Sequence, residues 1–185
     1  IRDRVVVDVR RWWQAAAMKS GLTVRADNAV AVLESLRQLS GMDVLVGIPE
    51  DKAGREDGSP INNAELGYLH STGATVEIDG ATVTLPPRPF LDMGIEDSKP
   101  RTTAHLKAAA TAALEGQTEA AVRELESAGQ IARDAAKAVI GAGDRLHPLS
   151  EKTLERRRAE GIPGEKPLYA HGYLLRSINY VVRKK

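Results

Sequence analysis

The residues with most chemical potential are four histidines, His70, His105, His147 and His171, in a chain of 185 residues without cysteine. No two are spaced i, i+4, and none belongs to an HExxH pattern that would put two imidazoles and a carboxylate on one helical face. Structural zinc also favours thiolate ligands, which are absent. The spacing therefore predicts no metal site. Carboxylate pairs occur at Glu50-Asp51 and Glu56-Asp57, but inside PEDKAGREDGSP, whose composition is that of a solvated loop rather than of an acid–base pair. The GAG at 141–143 lacks the phosphate-loop pattern and ends a helical stretch instead of opening one. No GxSxG turn supports a serine nucleophile. Two basic runs remain, ERRR at 155–158 and Arg183-Lys184-Lys185, each able to touch phosphates. Glu151, Glu155 and Glu160 offset the first, which reads as a solvated face or a set of subunit salt bridges. These patterns predict no enzyme and no cofactor.

Composition sets the frame for those residues. Net charge is +1, hydrophobic residues make up 42% and aromatics 4%, so the core must rest on Leu, Val, Ile and Ala. No apolar run approaches a membrane span. Residues 1–26 read as an N-terminal arm or helix carrying both tryptophans, Trp12 and Trp13, and Met18 is a candidate start within it. Residues 27–185 read as one domain.

Along that domain, Asp27 or Asn28 caps a helix with Val30, Leu33, Leu36 and Leu39 on its apolar face and Gly41 as its stop. MDVLVGI at 42–48 reads as a buried strand. The loop from Pro49 to Pro60 is expected to be mobile. Asn62 and Glu65 form a capping box for the next helix, closed by Gly73. TVEIDGATVTL predicts a hairpin over about 74–86, with Asp79-Gly80 supplying the turn. Pro100 is read as the start of an Ala-rich helix to about Glu115. A second long helix runs from Thr118 to Ile140, with Val122, Leu125, Ile131 and Val139 inward and Gly129 reserved for close approach of a neighbouring backbone. Ser150 caps a short helix through ERRR, and HGYLLRS gives a helical turn before a final strand, INYVV. Strands and helices do not alternate. The expected class is α+β, an antiparallel or mixed sheet with a protruding hairpin, packed against two long helices and several short ones.

Between the hairpin and the first long helix stands LPPRPFLDMGI, 85–95, with three of the nine prolines and the only phenylalanine. Proline fixes φ and removes a donor, so the run makes a rigid elbow. Phe90 behind it is either a core anchor or part of an elbow that presents Arg88 to a neighbouring subunit.

In order, VLVGIPED, NAELGYLHSTGA with His70, PPRPFL, HPLSEKTLERR and KPLYAHGYLLRSINYVV resemble the neck and tail-completion proteins of tailed bacteriophages, the head–tail joining or virion morphogenesis group. The resemblance covers about Asp43 to Val182. His171 stands where that family carries a threonine, and the arm ahead of Met18 has no counterpart. The resemblance implies a structural virion protein, assembled in the host cytoplasm. It would form a homo-oligomeric ring of six between head connector and tail tube. Its partners would be the connector or adaptor and the tail terminator or tube, with genomic DNA passing through the lumen and no cofactor or membrane. Arg88, Phe90, Asp79, Gly80, His70, Trp12 and Trp13 become the expected assembly residues. A tail terminator of the adjacent layer is the alternative, and a DNA-binding module using the basic runs is the rival from another class.

Overall fold

The computed structural model describes residues 28–55, 59–78 and 80–184. Trp12, Trp13 and Asp79 lie outside the described residues. The elements in order are α1 (Ala29–Ser40), β1 (Met42–Gly47), a 3-10 turn (Glu50–Lys52), α2 (Asn63–Thr72), β2 (Ala74–Ile78), β3 (Ala81–Leu85), α3 (Phe90–Leu114), α4 (Thr118–Ala142), α5 (Glu151–Ala159), α6 (Tyr173–Ser177) and β4 (Asn179–Lys184). The class is α+β, with two antiparallel two-stranded sheets, β1–β4 and β2–β3, and two long helices.

Helices α3 and α4 form the body of the fold as an antiparallel pair. Phe90, Gly94 and Ser98, at steps of four, are all buried, which places them on one helical face. A Cβ at Gly94 would overlap the backbone of Ala135 and Ala136, so only glycine lets the helices approach this closely. Small residues continue along α4, with Ala121, Ala128, Ala132 and Ala136 buried. Farther along the pair His105 Nδ1 lies 2.6 Å from Glu124 Oε2. At the end away from Phe90, Ala112, Ala113 and Ala121 pack with Leu36 and Leu39 of α1.

Pro100 does not begin α3; it lies eleven residues inside a helix of 25. Proline deletes the hydrogen bond to the carbonyl four residues back. Here that carbonyl belongs to Glu96, and both residues are exposed, so water satisfies what the ring cannot. The true start is the elbow itself, with Pro89 as N-cap. The α4 face also differs from expectation. Leu125 and Val139 are buried, whereas Val122 and Ile131 are only half-buried, because alanine and glycine make the close contacts. Gly129 meets the ring of Tyr180 and Val44 Cγ1 rather than a backbone.

Strands β1 and β4 lie across α4 with Val44 opposite Val182 and Val46 opposite Tyr180. Strand side chains alternate in direction, so the pair Leu45 and Val181 faces away, at 42% and 40% exposure. The expected buried strand is therefore covered on one face only. On α1, Leu36 and Leu39 turn inward while Val30 and Leu33 are 82% and 57% exposed, so half of the expected apolar face is open.

The 49–60 loop departs from expectation over its first half. Ala53 is buried, its carbonyl accepts from the Asn63 amide at 2.8 Å, and Gly54 O accepts from Asn63 Nδ2 at 3.1 Å. Seven polar or charged neighbours in sequence do not prevent a single alanine from seating where the backbone bonds are already made. The Asn62 capping box forms as expected, with both reciprocal bonds at 2.9 Å. The hairpin also forms, Ile78 pairing Ala81, with Gly80 at φ 73° where a Cβ is disfavoured.

Candidate functional site

A groove of about 640 Å³ runs between α2, the outer side of β3, the α4–α5 connection and the approach to α6. Two arginines build its walls. Arg88, only 5% exposed, donates from Nε to His147 O at 2.7 Å and from Nη2 to Pro148 O at 3.0 Å. Its own amide donates to His70 O at 2.7 Å. One residue thus ties the elbow to the end of α2 and to the loop ahead of α5. Arg88 is therefore turned into its own chain rather than outward. The elbow is rigid, and the guanidinium uses that rigidity to fold the 147–148 loop.

Arg157 does the same work for the last loop. Its Nη1 lies 3.3, 3.1 and 3.2 Å from the carbonyls of Gly164, Lys166 and Tyr169. It is buried, while its neighbours Arg156 and Arg158 face water and pair with Glu160 and with Glu151 and Glu165 respectively. Within the gathered loop Leu168 holds φ 61°, a left-handed conformation that costs a branched side chain about 1–2 kcal/mol. Its side chain packs against the Phe90 cluster, and Lys166 Nζ reaches Gly141 O. Burial lowers the basicity of both arginines, Arg157 being further lowered by Arg156.

Beneath the groove is the Phe90 core. Phe90 is fully buried with Ala136, Val139, Ile140, Leu146, Leu174 and Ile178, and Ile48 packs against the cluster. The core-anchor reading of Phe90 holds. His70 lines the groove and its pKa is lowered to about 4, by burial first and by the Arg88 charge second, so it is neutral at pH 7. Neither His70 Nδ1 nor Asn63 Oδ1 has a hydrogen-bond partner among the described residues.

Of the expected site residues, Arg88, Phe90 and His70 come together here, and Gly80 lies at the far tip of the hairpin. His147 and His171 also line the groove, so three of the four histidines share it. No group of His, Asp or Glu among the described residues is arranged to hold a metal. Among them no helix is long and apolar enough to cross a membrane. Sequence reasoning missed Arg157, because ERRR reads as a solvated run. The available signal was the glycine- and proline-rich segment just after it, whose carbonyls need donors.

No family model, curated protein or solved structure matches the chain.

Proposed function

We propose that the chain is a structural subunit of a phage neck, forming a ring between head connector and tail tube. The observation that carries this reading is the convergence of the five motif segments. Asn63, His70, Pro86, Arg88, His147, Pro148, Ser150 and Gly172 come from four of them and border one groove, while Ile48 of the fifth packs on the core beneath it. Segments spread over more than a hundred residues form one body, as expected if the pattern encodes a fold rather than chance likeness.

The surface suits such a role. Among the described residues both sheets have only two strands, so each strand keeps one edge unpaired there for another chain. A ring needs two different faces on each subunit, and closure follows from the rotation between neighbours. The basic runs give little support to a DNA-binding module, since all three arginines of ERRR are engaged within the chain. A tail terminator of the adjacent layer is the second reading in the same class.

Electron microscopy of particles assembled with a tagged chain tests the proposal. A ring of copies at the neck is the expected result. Label elsewhere in the particle, or a single copy, would overturn it. A salt-sensitive shift of duplex DNA at micromolar protein would favour the binding module.

A further inference from the structure

Helix α1 is seated on the body mainly by its second half. Ser35 is its buried residue, and Leu36 and Leu39 pack on Ala112, Ala113 and Ala121. The first half presents Val30 at 82% and Leu33 at 57% exposure, three residues apart and so on one flank. Its start is also weakly held. Among the described residues the Asn28 side chain makes no capping bond, and the first turn carries no acidic residue to meet the helix dipole. A helix of 12 residues depends on packing more than on its own propensity. Within the described body, the opening turns of α1 therefore have neither a side-chain cap nor an apolar cover over Val30 and Leu33.

Residues 1–27 enter the body at this same place. They join it at Asn28, directly ahead of α1, and carry both tryptophans of the chain. In sequence, Val5, Val9, Trp12, Trp13 and Ala16 recur at the spacing of one apolar helical face. Tryptophan brings a large apolar area, and removing such area from water drives contact. A covalent link this short holds the segment beside α1 at an effective concentration on the order of millimolar, far above that of a separate chain in dilute solution. The other open apolar pair, Leu45 and Val181, is less exposed at 42% and 40%, and lies on the sheet rather than on the helix that the segment enters.

We infer that residues 1–27 seat Trp12 and Trp13 on the open flank of α1, against Val30 and Leu33 of the same chain. The segment supplies to the first half of α1 the cover that the α3–α4 pair supplies to its second half. This contact belongs to the single chain and does not depend on the neck reading.

The test uses intrinsic tryptophan emission of the full chain, which arises in this segment alone. Emission at shorter wavelength and weaker acrylamide quenching than in the same chain unfolded by urea are expected, at every protein concentration. Val30→Glu with Leu33→Glu, both at exposed positions, should move the two readings to the urea values while far-UV circular dichroism keeps the folded signal. Trp12→Gln with Trp13→Gln leaves every residue of the described body unchanged, and should speed amide exchange in α1 but not in α3 and α4. Native emission equal to that in urea overturns the contact. So does emission unmoved by the α1 substitutions, or α1 exchange unmoved by the tryptophan substitutions. A shift produced by Val181→Thr instead would place the tryptophans on the sheet and overturn the α1 seat. Short-wavelength emission that appears only as chains associate would assign the flank to the segment of a second copy, and would overturn the same-chain contact.

Discussion

The α3–α4 pair and the groove side of the molecule are held by different physics. In the helical pair, contact is a matter of shape: Gly94 against Ala136 and a row of alanines bring two backbones close, and many weak dispersion contacts add up. On the groove side, irregular segments are held by a few directional bonds from Arg88 and Arg157 to backbone carbonyls. The first arrangement tolerates solvent and pH but not volume. The second tolerates volume but depends on particular donors and on the charge state of what lies near them. Loops with exposed carbonyls can be shaped freely by evolution so long as an arginine gathers them, and binding surfaces are commonly built from such loops on a rigid support.

Phe90 lies where the two regions meet, so Phe90→Ala should show the largest effect. A loss of about 3–5 kcal/mol is expected for emptying a fully buried aromatic site, measured by urea denaturation. A loss under about 1 kcal/mol would mean that the two regions do not share a core.

Acid should separate the regions next. In the fold His70 takes a proton only near pH 4, against 6.5 in the unfolded chain. Between those values the unfolded chain binds more protons, so stability is complete above pH 6.5 and falls as pH drops towards 4. The drop is bounded at roughly 3 kcal/mol. His70→Gln should flatten this slope while leaving stability at pH 7 nearly unchanged. An unaltered slope would assign the acid sensitivity elsewhere.

Arg88→Met keeps the length of the side chain and removes both bonds to the 147–148 loop. Charged hydrogen bonds of this kind contribute about 1.5–3 kcal/mol, and the expected loss lies in that range, with faster amide exchange confined to the groove side. If exchange in α3 and α4 rises equally, the groove is not an independently held region. Gly94→Ala should cost at least about 1–3 kcal/mol by overpacking, because the added methyl meets backbone atoms of Ala135 and Ala136 that cannot swing aside, and should leave groove amides untouched.

Much of this fold is legible from local rules. The Asn62 box, the Ser150 cap, the Gly73 stop and the hairpin turning at Gly80 are each specified within four or five residues. What escaped depends on distant partners. Pro100 resembles a helix start because the rule for interior proline does not know which face is wet. ERRR resembles a solvated run because the carbonyls that claim Arg157 lie 7 to 12 residues onward, in a loop with no periodicity. The groove shares that character: its walls come from segments as far apart as Asn63 and Leu174. Helical periodicity describes one element at a time and is silent about such meetings.

The hairpin root has a mechanical consequence. Each strand has five residues, so the tip stands about 17 Å from its base. At that base Gly73 holds φ 75° with Leu85 O and Pro87 packed close around it, and Arg88 fastens the next residue to two other segments. The lever is therefore clamped at one end, while at the other a Cβ on Gly80 would meet nothing within 4 Å. A tilt of about 10° along its length would carry the tip about 3 Å, the scale of one strand residue. A lever of this kind, if it met another body, would absorb small angular mismatches at its tip while the body that carries it stayed undeformed.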